Sequence, residues 1–339
     1  MRLFAVMLSR RPVAVTMGEP AGIGPEITVA AWKHLAEYAG PPFVLLGDMA
    51  TLCTAGGIAG RKVRTVLSPD EAVSVFNEAL PVMPVPLCVP VKPGSPDPLN
   101  APAVTDSIRL AVKLAVSEEV SAVVTNPIQK STLYRNGFAF PGHTEFLEHL
   151  AGPPHRSVMM LATPGLRVVP VTIHQSLRSA VADLCTERII AVAKAAVGGL
   201  RRDFGIVAPR VAVAGLNPHA GEDGTMGHED SEIVAPAVAA LREEGVDAIG
   251  PLPPDTMFTP RRRASYDLAI CMYHDQALIP LKTLEPDNGV NVTLGLPFVR
   301  TSPDHGTALD IAGRGLADAG SLIAAIKMAS HIAAQRKGV

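Results

Sequence analysis

Three of the ten histidines share one setting. His174 follows the run Val168-Val169-Pro170-Val171-Thr172-Ile173, His219 follows Val211-Ala212-Val213-Ala214-Gly215-Leu216-Asn217-Pro218, and His274 follows Leu268-Ala269-Ile270-Cys271-Met272-Tyr273. Each run reads as a buried strand, and an open parallel sheet binds its ligands at the carboxyl ends of its strands. One histidine in such a place more often serves the fold. Three of them, each needing a polar partner near a core, point to imidazoles that converge on one divalent ion. Neutral imidazoles suit zinc, cobalt or a similar borderline ion and leave coordination positions open for substrate oxygens. Asp275, beside His274, is either an acceptor that orients an imidazole or a helix N-cap.

A second group of residues suits an anion. In Gly142-His143-Thr144-Glu145-Phe146-Leu147 the chain starts a helix, with Thr144 as the candidate cap and free backbone N–H groups facing whatever lies in front. His143 at that terminus is placed to meet a phosphate or carboxylate. Lys282, Asn291 and Arg300 add two cations and an amide near the last strands, where an acidic substrate can be clamped, though singly each is ordinary surface chemistry. His34, His149, His155 and His331 read as residues of solvated faces. Gly18-Glu19-Pro20-Ala21-Gly22-Ile23-Gly24-Pro25-Glu26 is a Gly-rich turn that suits a tight strand-to-helix connection as well as it suits a ligand loop. No G-x-G-x-x-G follows a strand, and neither a Walker A motif nor H-E-x-x-H occurs, which removes support from Rossmann, P-loop and zincin readings.

These groups need elements to hold them. Strand-like runs at 12–17, 43–47, 121–125, 157–161, 166–173, 210–216, 267–273 and 290–294 alternate with helical patterns at 26–38, 103–116, 187–197, 231–244 and 322–334. That rhythm is α/β. The Pro-rich segment 90–102 is the candidate long loop, and no repeat or low-complexity tract is present.

Composition narrows the class. A chain of 339 residues, 47% hydrophobic and 18% charged, buries a large core and is expected to divide into two domains or lobes. Thirty basic and 32 acidic side chains give a formal charge of −2, and beyond Arg261-Arg262-Arg263, read as solvated surface, no basic tract offers a nucleic-acid footprint. Cys53, Cys88, Cys185 and Cys271 show no CxxC spacing, so neither a disulfide framework nor a thiolate zinc site is expected, and a reducing cytoplasm fits. MRLFAVMLSRR lacks the long apolar region of a signal peptide, and no run of about 18 apolar residues follows. A cytoplasmic protein with no membrane partner is expected.

The motifs resemble one family, 4-hydroxythreonine-4-phosphate dehydrogenase, the PdxA enzymes of pyridoxal-phosphate biosynthesis. The likeness is carried by GEPAGIGPE at 18–26, FPGHTEFL at 140–147, GLNPHAGE at 215–222, YHDQALIPLK at 273–282 and VNVTLGLPFVRTSPDHGTALDIAG at 290–313. Residues 223–230 depart from the family pattern, which more often ends on a Glu-Glu pair where this chain has Glu229-Asp230.

The resemblance implies a two-lobed α/β/α fold like that of isocitrate and isopropylmalate dehydrogenases, with the active-site cleft between lobes. The expected lobes are residues 1–125 with 290–339, and residues 126–289, the latter carrying the metal ligands and dimer contacts. The resemblance puts metal ligands at His174, His219 and His274, and substrate contacts at His143, Thr144, Lys282, Asn291 and Arg300. The more distant fold relatives suggest cofactor contacts at His305, Gly306 and Asp310, for which a helix start capped by Asp304 or Asp310 is the alternative. The implied reaction oxidises 4-phosphooxy-L-threonine with NAD or NADP and one divalent ion (Zn, Co or Mg), and the resulting β-keto acid decarboxylates to 3-amino-2-oxopropyl phosphate. Lys282 and Asp275 are the candidate catalytic groups, with Lys282 assigned either proton handling or carboxylate neutralisation. The family is dimeric with one ligand histidine from the partner subunit, and the His219 loop is the expected donor. Rival readings are a related dehydrogenase of a phosphorylated sugar acid or an aromatic dihydrodiol carboxylate, a metal-dependent hydrolase or aldolase on the same histidines, and a non-catalytic binding protein.

Overall fold

The computed structural model describes residues 11–338 except 55 and 287. The chain divides into two compact units, Met1–Ser157 with Leu296–Val339, and Val158–Gly295.

In the first unit the strands are β1 (Val13–Thr16), β2 (Phe43–Gly47), β3 (Val63–Thr65), β4 (Leu80–Pro84), β5 (Ala122–Thr125) and β12 (Arg300–Pro303), in the spatial order β3-β4-β2-β1-β5-β12. All neighbours pair parallel. Every residue of β1, β2 and β5 is buried, the pattern of parallel strands covered on both faces. The helix Ala101–Val116 packs on β1, β2 and β5 through Val104, Ile108, Ala111, Val112 and Leu114, a stripe at three- and four-residue spacing. The closing helix Gly320–Arg336 packs on β12 and β5.

In the second unit β6 (Val158–Thr163), β7 (Leu166–Pro170), β8 (Arg210–Ala214), β9 (Asp247–Leu252), β10 (Leu268–Cys271) and β11 (Val290–Leu294) lie in the order β11-β6-β7-β10-β8-β9. β6 is antiparallel to both its neighbours, whereas β7, β10, β8 and β9 run parallel. The three strands that precede His174, His274 and His219 are therefore consecutive parallel neighbours, as the sequence argument requires. The helix Thr186–Phe204 packs on β6 and β11, with Gly199 so close to Leu294 that a Cβ there would lie 2.9 Å from its methyl carbons.

Both units are α/β. Phe43–Gly47 and Val290–Leu294 form as expected, and the helix expected over 231–244 opens with a π-helical turn, Asp230–Val234, before Ala235–Glu243. β3, β4, β9 and β12 escape sequence reading because they are short, half-exposed or polar; β12 reads Arg-Thr-Ser-Pro and yet is fully buried. Residues 90–100 of the expected loop carry only the 3-10 turn Pro98–Asn100 and one bridge between Lys92 and Ser95, and the helix begins two residues earlier than expected, at Ala101. Among the described residues no helix is long and apolar enough to cross a membrane.

Candidate active site

In the second unit the chain leaves β7 and β10 side by side. Thr172 donates from its backbone N (3.3 Å) and its Oγ1 (2.8 Å) to the Met272 carbonyl, which locks the residues before His174 to those before His274. The two imidazoles stand with ring centroids 5.8 Å apart and planes inclined by 44°. They line a cavity of about 470 Å³ with Thr172, Ser176, Tyr273 and Asp275. His174 is held at φ 42°, a left-handed backbone that a Cβ-bearing residue adopts at a cost of about 1–2 kcal/mol.

His274 opens the helix His274–Leu284, whose N-cap is Tyr273. Asp275 is thus not the cap; its Oδ1 lies 2.7 Å from His274 Nδ1. A carboxylate accepts, so Nδ1 carries the proton and the Nε2 lone pair is left for an electrophile. Of the two readings of Asp275, orientation of the imidazole is the one that stands.

His219 is reached by the strand on the other side of β10. Gln276, 7% exposed, donates from Nε2 to the Gly215 carbonyl (2.7 Å) while its Oε1 accepts the Met272 N–H (2.7 Å), so the start of the His219 loop is fastened to the strand that delivers His274. The loop then makes a left-handed turn through His219, Ala220, Gly221, Glu222 and Asp223, with φ of 54°, 55°, 82°, 40° and 55°. His219 is exposed, and its Nδ1 lies 3.1 Å from Glu222 Oε2. It does not line the cavity of His174 and His274. Among the described residues no group of three or more His, Cys, Asp or Glu could hold a metal ion. One chain thus supplies two converging nitrogen donors, chemically suited to a borderline divalent ion, and a third presented elsewhere on its surface.

The same helix carries Lys282 in its last turn, exposed and about 12 Å along the axis from His274 at the usual helical rise. Asn291, half-buried on β11, has its Oδ1 enclosed without a hydrogen-bond partner.

His143, Thr144 and Arg300 lie in the first unit. The helix His143–Ala151 has Gly142 as N-cap and no side-chain capping bond, so Thr144 lies inside the first turn and the expected Thr144 cap is not formed. The helix's leading N–H groups remain for another acceptor. His143 Nε2 is buried without a hydrogen-bond partner, and burial, with the charges of Arg300 and Lys130 adding to it, holds this imidazole well below the usual histidine range. Arg300 is 3% exposed and donates from a terminal nitrogen to Thr125 Oγ1 at 2.6 Å; burial lowers its pKa to about 10, so it stays charged at neutral pH. A neutral histidine beside two cations at a helix N-terminus is an arrangement that phosphate or carboxylate relieves.

The Gly-rich turn at 18–26 and the segment that carries His305, Gly306 and Asp310 meet in this unit. Ile23 N donates to the Thr307 carbonyl at 3.0 Å, and Glu26 accepts from the N–H groups of Gly313 (2.9 Å) and Gly315 (2.7 Å). A Cβ on Gly22 would lie 2.8 Å from the Thr307 oxygen, so the turn tolerates only glycine there. No helix starts at 304–313: the segment runs as turns until Gly320, and the alternative of a capped helix start fails. Gly306 and Asp310 are exposed, and His305 is half-buried with Nδ1 3.0 Å from the Gly306 oxygen. Glu19 is 3% exposed; burial raises its carboxyl pKa to about 7 against one stabilising bond from Ala21 N.

Sequence reasoning missed Gln276, Thr172, Lys130 and Glu19. Gln276 stood two residues past a candidate ligand and Thr172 inside a quoted run, but they act through bonds to Gly215 and Met272, 61 and 100 positions distant, and the burial of Glu19 inside its quoted motif is likewise something no local pattern signals.

Comparison with known proteins places these residues in context. The family model described as pyridoxal phosphate biosynthetic protein PdxA matches residues 39–329. A 4-hydroxythreonine-4-phosphate dehydrogenase of Bradyrhizobium diazoefficiens is 54% identical over 338 residues, covering 96% of this chain and 98% of that protein. Among solved structures, the 4-hydroxythreonine-4-phosphate dehydrogenase of Klebsiella pneumoniae is similar with a TM-score of 0.84 and 44% identity, covering 95% of this chain and 99% of that one. A terephthalate 1,2-cis-dihydrodiol dehydrogenase of Burkholderia xenovorans is less similar, with a TM-score of 0.63 and 31% identity over 95% of this chain and 98% of that one.

Proposed function

The chain belongs to the PdxA family, and on that footing we propose that it is a 4-hydroxythreonine-4-phosphate dehydrogenase. It oxidises 4-phosphooxy-L-threonine with NAD or NADP to 2-amino-3-oxo-4-phosphooxybutanoate, which loses CO2 to give 3-amino-2-oxopropyl phosphate, a step toward pyridoxal 5'-phosphate. The relatives' names and the lower likeness to the dihydrodiol enzyme favour the threonine phosphate.

The observation that carries the chemistry is the pair His174 and His274 with ring centroids 5.8 Å apart and Asp275 on Nδ1 of His274. These imidazoles are the proposed ligands of one divalent ion, Zn, Co or Mg, with His219 supplied by a second copy in a homodimer. When bound, the ion polarises the substrate hydroxyl and the ketone formed from it, and the nicotinamide accepts the hydride. Asp275 keeps the Nδ1 proton in place so that Nε2 stays the donor. Lys282 is the candidate for taking up the hydroxyl proton or neutralising the substrate carboxylate. Arg300, His143 and Thr144 of the first unit, and Asn291 of the second, are proposed to hold charged and polar ends of the substrate. His305, Gly306 and Asp310 are proposed cofactor contacts.

The test is the purified chain stripped of metal, resupplied with single divalent ions and assayed with 4-phosphooxy-L-threonine and each nicotinamide. Reduced cofactor should form only with an ion present and be lost in His274→Ala. No reduced cofactor under any combination overturns the assignment.

A further inference from the structure

We propose that Asp230 is the positioning residue that holds the His219 turn in its ligand-presenting shape; this rests on the reading of His219 as a metal ligand. Asp230 is 2% exposed and begins the π-helical turn Asp230–Val234. Its Oδ1 accepts the Leu216 N–H at 2.6 Å, and its Oδ2 accepts the Asn217 N–H at 3.0 Å and Asn217 Nδ2 at 3.1 Å. Those donors are the last residues before Pro218 and the turn, so the carboxylate fixes the direction in which the chain enters it.

The carboxylate is also fitted beneath the turn itself. A Cβ added at Gly221 would come within 3.4 Å of Asp230 Cβ and Oδ2, and one added at Gly215 within 2.9 Å of Oδ1. The opposite flank is closed by Asn217 Nδ2 donating to Glu229 Oε2 at 2.8 Å, so Asn217 is gripped by two consecutive acidic residues. A turn with four Cβ-bearing residues at positive φ does not persist by its own preference; it must be over-determined by its surroundings. The bonds within the turn, Ala220 N to the Asn217 carbonyl (3.1 Å) and Met226 N to the Gly221 carbonyl (3.1 Å), close it on itself but do not aim it. Asp230 does, because its two carboxylate oxygens tie the main-chain N–H groups of Leu216 and Asn217 to the helical segment that follows. Replacing it with Asn keeps the size but leaves one acceptor for three N–H donors and turns an NH2 group toward one of them.

The experiment measures affinity for Zn and Co in the metal-stripped full chain by competition with a chromophoric chelator, together with the thermal midpoint and the visible spectrum of the Co form. His219→Ala should weaken the ion at least tenfold, Asp230→Asn should weaken it about tenfold and alter the Co spectrum, and the double variant should bind no more weakly than His219→Ala alone. A general loss of structure would instead lower the midpoint and add its effect to that of His219→Ala. Should Asp230→Asn not fold, Asn217→Ala, which removes the side-chain donor and keeps the main-chain N–H, enters the same cycle, and its smaller loss should likewise vanish in the His219→Ala background. Unchanged affinity in Asp230→Asn with His219→Ala impaired, or additive losses in the double variant, overturns the inference alone. Unchanged affinity in His219→Ala overturns the ligand reading and the inference with it.

Discussion

Gln276 Nε2 sits 2.7 Å from the Gly215 carbonyl oxygen, and through that bond the segment after β8 is tied to the helix that begins with His274. The same side chain accepts the Met272 N–H, so one buried amide satisfies two main-chain groups at the ends of neighbouring strands.

Gln276→Leu fills the space but leaves both groups unsatisfied in the core. The expected cost is about 2–4 kcal/mol in urea unfolding, at roughly 1–2 kcal/mol per orphaned group. Equal urea midpoints for variant and parent would show that the bridge is not holding these strand ends.

His143 gives the chain a sensitivity to acid. Its folded pKa lies below the usual 6.5, chiefly because it is buried, so the unfolded chain takes up a proton there before the folded one does. The stability is intact above pH 6.5 and falls as the pH drops, by up to about 1.4 kcal/mol per pH unit until the folded pKa is reached. His143→Gln should flatten the dependence of unfolding free energy on pH between 5 and 6.5; an unchanged slope would contradict the burial of Nε2.

Glu19 acts in the opposite direction. Its carboxyl titrates at about 7 in the folded chain and 4.5 when unperturbed, so stability is full below pH 4.5 and is lost as the pH rises to 7, by about 3 kcal/mol in all. Glu19→Gln, which can still accept from Ala21 N, should match the parent near pH 4 and exceed it at pH 8 in thermal midpoint. A variant less stable than the parent at pH 8 would mean that the ionised carboxylate is needed by a partner.

Arg300→Lys probes the anion group. Lysine replaces a planar set of donors with a point charge and loses the geometry of the bond to Thr125 Oγ1. With one or two charge-assisted bonds lost, the Michaelis constant for the phosphorylated substrate should rise by roughly 10- to 100-fold, corresponding to about 1.4–2.8 kcal/mol, with a smaller change in kcat. A fall in kcat at unchanged Michaelis constant would place Arg300 at the reacting centre instead.

The sequence by itself determined the α/β class, the strand ends that carry His174, His219 and His274, and the family, because apolar runs and long motif strings are local properties of a chain. It also supplied the adjacency argument, and β7, β10 and β8 are indeed parallel neighbours. Only the tertiary structure decided that Asp275 orients an imidazole while Tyr273 caps the helix, that Gly142 rather than Thr144 caps the helix at His143, and that His174 and His274 converge while His219 is presented on a left-handed turn. Hydrogen bonds such as those from Gln276 to Gly215 and from Thr172 to Met272 join residues 61 and 100 positions apart, and the positive φ of the Cβ-bearing residues in the His219 turn needs surroundings that over-determine it. Neither leaves a periodicity or a residue type for a linear reading to find.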